Sequence, residues 1–111
     1  MMRLAPEQYG KLAMAFAPAS AAIVGASANP AKFGGRALKF CLERGYAGRL
    51  YPINPGRAEV QGVPAHASLA DLPEPPDIAV IAVPAAQVKD SLVAAGERGA
   101  KLAIVYGAQF A

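Results

Sequence analysis

The sequence predicts an α/β protein, a doubly wound parallel sheet between helices in three layers, and three observations predict it. Four short apolar runs, at 21–24, 49–53, 77–83 and 101–106, show no in–out alternation, as strands covered on both faces require. The stretches between the first two and between the last two repeat their apolar residues at helical spacing. Each run closes on Gly, Asn or Pro, the turn-formers expected at one edge of such a sheet. Strands alternating with helices build right-handed crossover units, and ligands of that class bind beyond the carboxyl ends of the strands.

Residues 1–15 read as a helical or flexible lead-in, and 16–111 as one domain with no internal repeat or linker. Arg3 and Lys11 precede an apolar stretch, but Glu7 and Gln8 lie within its approach and Pro18 interrupts it, so no signal peptide is expected. No run nears the roughly 18–20 apolar residues that span a bilayer. After the first strand, the spacing predicts a helix over 35–46 with Ala37, Leu38, Cys41 and Leu42 inward, stopping at Gly45. The second strand covers 49–53. Residues 60–72 predict a short turn, an extended piece at 62–65 and a helical turn at 68–72, where Ser68 and Asp71 have capping-box spacing. Pro73, Pro75 and Pro76 force an extended connection to the third strand. A second helix follows over 85–98, with Val88, Leu92, Val93 and Ala95 on one side and Gly99 as its stop.

Of 111 residues, 54% are hydrophobic and 17% charged, which supports one packed core and excludes a disordered chain. Eleven Lys plus Arg against eight Asp plus Glu leave +3, scattered without a basic run. Such a balance suits an anionic small molecule, not a protein that coats nucleic acid or a membrane. Cys41 is the only cysteine and can build neither an internal disulfide nor a Cys-rich metal site, so a reducing, cytoplasmic setting is expected.

The most informative stretch runs from Ile23 to Gly35, a strand feeding a helix through Gly25-Ala26-Ser27-Ala28-Asn29-Pro30-Ala31-Lys32-Phe33-Gly34. Small residues let backbone N–H groups approach a phosphate, and the helix start adds a positive dipole end. A tight strand-to-helix turn alone would also draw Gly, Ser and Asn. The loop is neither a Walker A nor a G-x-G-x-x-G fingerprint. An NAD site needs an acidic residue at the end of the second strand; Asn54, Pro55 and Arg57 stand there instead, so a phosphate-rich ligand fits better. Arg57 can hold a phosphate in a two-pronged contact or be an ordinary solvated side chain. Val83 and Pro84 at the third strand's end give either an apolar ligand wall or only a helix start, and Gly107 repeats the small-residue pattern at the fourth. His66, the lone histidine, reads as a loop residue, Cys41 as core, Ser27 as a phosphate donor, and Asp71, Glu74 and Asp77 as a solvated connection. No acid–base pair is visible, so this chain alone is not expected to catalyse a reaction.

Five motifs then line up with a known family. In order and spacing, Phe16-Ala17-Pro18-Ala19-Ser20-Ala21-Ala22-Ile23-Val24-Gly25-Ala26-Ser27, Leu50-Tyr51-Pro52-Ile53-Asn54-Pro55, Leu69-Ala70-Asp71-Leu72-Pro73, Asp77-Ile78-Ala79-Val80-Ile81-Ala82-Val83-Pro84 and Gly96-Glu97-Arg98-Gly99-Ala100-Lys101 resemble the N-terminal CoA-binding domain of NDP-forming acyl-CoA synthetases. That family includes ADP-forming acetate–CoA ligases and, more distantly, the succinyl-CoA synthetase alpha subunit. The resemblance implies a Rossmann-like fold that holds coenzyme A or an acyl-CoA. It places CoA contacts on Gly25, Ser27, Ala28, Asn29 and Pro30, completed by Lys32 and Gly34, with the basic residue at Arg57 and third-strand contacts at Val83 and Pro84. Where the family's fourth strand ends Ser-Ala-Gly-Phe, this chain reads Gly107-Ala108-Gln109-Phe110. The family's domain continues through a further helix and strand, and its phosphohistidine lies in a following domain. The resemblance therefore implies a piece of a longer synthetase, partnered by its remaining domains or subunit. Either a weakened CoA affinity or association of chains through the sheet edge left beside the fourth strand is expected. A stand-alone CoA-binding regulatory module and an NAD-binding domain are the alternatives.

Overall fold

The computed structural model describes residues 19–29 and 31–105. Their order is β1 (Ser20–Val24), α1 (Phe33–Glu43), β2 (Arg49–Ile53), β3 (Glu59–Val60), β4 (Val63–Pro64), a 3-10 turn (Leu69–Asp71), β5 (Ile78–Ile81), α2 (Ala85–Arg98) and β6 (Leu102–Val105). The four apolar runs pair in parallel in the order β2-β1-β5-β6, with Ala22 held between Tyr51 and Ala79. The chain leaves β1 toward β2 on one side and returns to β5 on the other, so the strand order reverses between β1 and β5. Open α/β sheets leave a crevice at the carboxyl ends of such a strand pair.

Alternate residues of β1, β2 and β5 feed two separate cores. On one face Ala22, Tyr51, Ile53, Ala79 and Ile81 pack with Leu69, Leu72 and the α2 residues Val88 and Ala95. On the other, Ile23 packs with Ala26, the α1 residue Leu38 and Val60. This is the predicted three-layer architecture, and each fully buried Ile or Leu contributes about 1.5–3 kcal/mol of transfer free energy.

Both helices stop where a glycine enters the left-handed region. Gly45 has φ 67° and Gly99 φ 93°. The N–H of Tyr46 donates to the Cys41 carbonyl at 3.0 Å, and that of Ala100 to the Ala95 carbonyl at 3.0 Å, closing two Schellman motifs. Hence α2 matches its predicted span, whereas α1 ends before 46 and starts two residues ahead of its predicted position. Pro84 is the N-cap of α2, one residue outside the helix.

The predicted helix faces need correction. Leu38 is buried, but Leu42 is 41% exposed, and on α2 Leu92 and Val93 are 38% and 51% exposed. Of the predicted α2 face only Val88 and Ala95 pack in the core, and the half-buried polar residues Ser91 and Arg98 flank them. Arg98 is accommodated because its guanidinium donates to the Leu69 and Leu72 carbonyls at 3.1 and 2.6 Å, capping the 3-10 turn.

Residues 60–72 form more structure than their spacing predicts. β3 and β4 make a hairpin turned at Gln61 and Gly62, with φ of 51° and 83°, the two positive values a type I′ turn requires. His66 extends the sheet by a parallel bridge to Ile53 and sets its ring edge-on to Tyr51. The Ser68 hydroxyl donates to the Asp71 carboxylate at 3.1 Å and the Asp71 N–H donates to the Ser68 carbonyl, so the capping box that the spacing suggested does not form.

The acidic residues of the proline-rich connection are not merely solvated. Glu74 accepts from the Arg49 guanidinium, with the Nη2–Oε1 contact at 2.8 Å, and from the Tyr51 hydroxyl. Asp77 gathers three strand starts: its carboxylate accepts from the Ala19 N–H at 2.9 Å, its own N–H donates to Ser20 Oγ at 3.0 Å, and its carbonyl accepts from Leu102 at 3.1 Å. Among the described residues no helix is long and apolar enough to cross a membrane. The lead-in at 1–15 and the end of the predicted fourth strand at Tyr106 lie outside the described residues.

Candidate functional site

The loop from β1 to α1 is shaped by close backbone approaches. Gly25 has φ 87°, and a Cβ on it would come closer than 3 Å to the Ala82 carbonyl, so the loops after β1 and β5 lie in contact. A Cβ on Gly34 would strike the Gly25 carbonyl in the same way, and one on Gly35 the Asn29 carbonyl. Only glycine lets the start of α1 press onto the loop. Within it, Ser27 Oγ accepts from the Asn29 N–H at 3.0 Å and Asn29 Oδ1 from the Ala31 N–H at 2.9 Å. Accepting leaves the Ser27 O–H available as a donor.

Asn54 ties the second loop to the first. Its Nδ2 donates to the Ala26 carbonyl at 3.0 Å while its Oδ1 accepts from the Gly56 N–H at 2.8 Å. The turn closes with the Arg57 N–H on the Asn54 carbonyl at 3.3 Å, leaving Arg57 exposed.

These loops enclose a cavity of about 570 Å³, within the range of small-molecule sites. Of the predicted residues, Gly25, Ser27, Lys32, Asn54, Pro55 and Val83 line it. An adjoining cavity of about 650 Å³ takes in Gly34 and Pro84, and Gly25, Lys32, Val83 and Gln87 border both. Ala28, Asn29 and Arg57 are exposed on the flanking loops and line neither; Pro30 and Gly107 lie outside the described residues. The spacing of residues 87, 90, 91 and 94 puts Gln87, Asp90, Ser91 and Ala94 of α2 on the cavity wall, with Ser68 opposite. Sequence reasoning passed over them, although they form one helical stripe starting a turn after Pro84.

The electrostatics favour an anion at the β1–α1 end. Lys32 is the N-cap of α1, the first turn carries no acidic residue, and Arg36 stands within it over the Phe33 ring at 5.9 Å. The helix dipole adds its positive end there. Asp90 is the one carboxylate on the lining and sits on the α2 wall. Cys41 is half-buried in the α1 core, and burial raises its thiol pKa, consistent with the core reading. No group of three or more His, Cys, Asp or Glu that could hold a metal occurs among the described residues.

Known proteins are similar in sequence and fold. The chain is 39% identical over 95 residues to the alpha subunit of an ADP-forming acetate–CoA ligase II from Pyrococcus furiosus, covering 86% of this chain and 21% of that protein. A dinucleotide-forming acetyl-coenzyme A synthetase 1 from Ca. Korarchaeum cryptofilum, solved with phosphate and ADP, superposes with TM-score 0.82 at 37% identity, over 89% of this chain and 21% of that one. The chain thus spans about a fifth of the length of these relatives. A conserved hypothetical protein from Pyrococcus furiosus is nearer in size: 35% identical, TM-score 0.69, matched over 78% of this chain and 72% of its own. Residues 19–110 match the family described as the CoA binding domain, a span that takes in every loop bordering the crevice. With fold, loop glycines and switch-point crevice in agreement with that match, the chain belongs to the CoA binding domain family.

Proposed function

We propose that the chain binds coenzyme A in the crevice at the carboxyl ends of β1, β2 and β5, as the CoA-binding domain of an NDP-forming acyl-CoA synthetase. The observation that carries the reading is the convergence of Gly25, Ser27, Lys32, Asn54 and Val83 on one cavity in a member of the CoA binding domain family. The backbone of Gly25, Ser27 and Ala28 and the Lys32 side chain hold phosphates, Asn29 shapes the turn through its N–H on Ser27 Oγ, and Pro30 contributes as the resemblance implies. Gly34 supplies the close approach. Asn54 and Pro55 form the second wall, Val83 and Pro84 the apolar flank, and Gly107 the fourth-strand contact. Arg57 on its exposed turn meets the 3′-phosphate of a ligand that projects from the crevice. A few charge-assisted hydrogen bonds of about 1.5–3 kcal/mol each, with about 0.3–1 from the helix end, supply micromolar binding, about −8 kcal/mol, after ordering costs.

No catalytic residue is assigned to this chain. In the whole synthetase an acyl-CoA, a nucleoside diphosphate and phosphate interconvert with the acid, CoA and a triphosphate, and the remaining domains or subunit supply that chemistry. The cytoplasm, where those substrates occur, is the proposed location.

A stand-alone CoA-binding module is the second reading, favoured by the similar protein of comparable size. NAD fits less well, because the amide of Asn54 is engaged by Ala26 and Gly56 where a ribose-binding carboxylate would stand. Titration calorimetry with CoA, dephospho-CoA and NADH tests all three. CoA binding in the micromolar range with NADH silent is expected; NADH binding with CoA silent overturns the reading. Arg57→Ala should weaken CoA several-fold and spare dephospho-CoA, and equal losses would remove Arg57 from the 3′-phosphate.

A further inference from the structure

The hairpin turn between β3 and β4 holds a residue that the cavity lining does not explain. Gln61 is half-buried and sits at φ 51°, the one described non-glycine residue with positive φ, a backbone state that costs an ordinary side chain about 1–2 kcal/mol. Glycine or asparagine would form the same turn more easily. What glutamine adds is its amide: Nε2 donates at 2.9 Å to the Ser27 carbonyl in the loop and at 2.9 Å to the Gly35 carbonyl in the first turn of α1. Asn54 does the same one peptide earlier, taking the Ala26 carbonyl at 3.0 Å.

In a trans peptide the C=O and the following N–H point in opposite directions. Holding the Ala26 and Ser27 carbonyls therefore turns the N–H groups of Ser27 and Ala28 away from the two amides. Neither N–H donates to another backbone or side-chain group among the described residues, whereas those of Asn29, Ala31 and Lys32 are all engaged. We propose that Gln61 is a positioning residue for the ligand loop: with Asn54 it draws two successive carbonyls out of the loop and so leaves two successive N–H donors for the phosphoryl oxygens of the ligand. The inference rests on the CoA reading and deepens it by assigning the loop's polarity to a side chain outside the crevice.

The test compares the parent with Gln61→Gly, which relieves the backbone and removes the amide, and Gln61→Glu, which keeps the shape and turns a donor into an acceptor. Calorimetry with CoA is run beside thermal melts and amide NMR shifts of Ser27 and Ala28 during a pyrophosphate titration. Expected are an affinity about tenfold weaker in both variants, a melting temperature for Gln61→Gly within a few degrees of the parent, and loss of the two amide shifts. If the parent binds CoA and Gln61→Gly binds it equally well, the positioning role is wrong and the CoA reading stands. If the parent ignores CoA yet its two amides respond to pyrophosphate and the variant's do not, the CoA reading fails and the positioning role stands. Silence of both amides in the parent overturns the positioning role.

Discussion

A glycine that looks like a ligand contact can be a packing requirement, and Gly34 is the case in point. The sequence marks it as part of a phosphate loop, but its missing Cβ is demanded by the Gly25 carbonyl, a backbone atom that cannot swing aside. Gly34→Ala should lower stability by about 1–3 kcal/mol, read as a drop of several degrees in the thermal midpoint, and should weaken CoA together with it. An unchanged midpoint would show that the start of α1 can lift off the loop at little cost. Single residues were legible where their chemistry is local. Gly45 and Gly99 announce helix ends because the left-handed state belongs to glycine. Gln61 was not legible, since nothing in its neighbours tells that its amide spans to residues 27 and 35.

At the scale of elements, the strands and α2 follow from continuous apolar runs and a helical repeat closed by glycine. β3 and β4 do not, because two residues each are too few to show a period. Nor did the apolar face of α2, where composition favours Leu92 and Val93 while the sheet selects the face that lets Arg98 cap the 3-10 turn. The connection from that turn to β5 is clasped to the start of β2 through Glu74. Hydrogen bonds from Arg49 and then Tyr51 hold the Glu74 carboxyl down to about 2 from its ordinary 4.5. Between those values the unfolded chain binds the extra proton, so the clasp's contribution is complete above pH about 4.5 and is lost as pH falls through about 2. Urea unfolding across pH 2–5 should therefore show the parent gaining stability with pH. Glu74→Gln should flatten the curve in that window; identical slopes would mean the clasp does not form in solution.

For the molecule as a whole, the small-residue edge was readable in the ends of β1, β2 and β5 at Gly25, Asn54 and Pro84, while the fourth, at Gly107, lies outside the described residues. Which groups on α2 complete the crevice was not readable, since that depends on how the helix lies across the sheet. Among the described residues β6 pairs on one side only, with β5, and Leu102 and Val105 are 38% and 37% exposed on it. An open edge of this kind templates further pairing. The chain should show concentration-dependent association in analytical ultracentrifugation, which Val105→Lys suppresses; a monomer at all concentrations would place a cover over that edge.

Asp77 and its contacts stand at the starts of β1, β5 and β6, the opposite pole from the crevice. The fold thereby sets this one fastening a full strand length from the crevice. A label or tether near Lys101 therefore sits beside the Asp77 contacts and away from the crevice, whereas changes in the Pro55–Arg57 turn act on the Asn54 bonds that join the loops after β1 and β2.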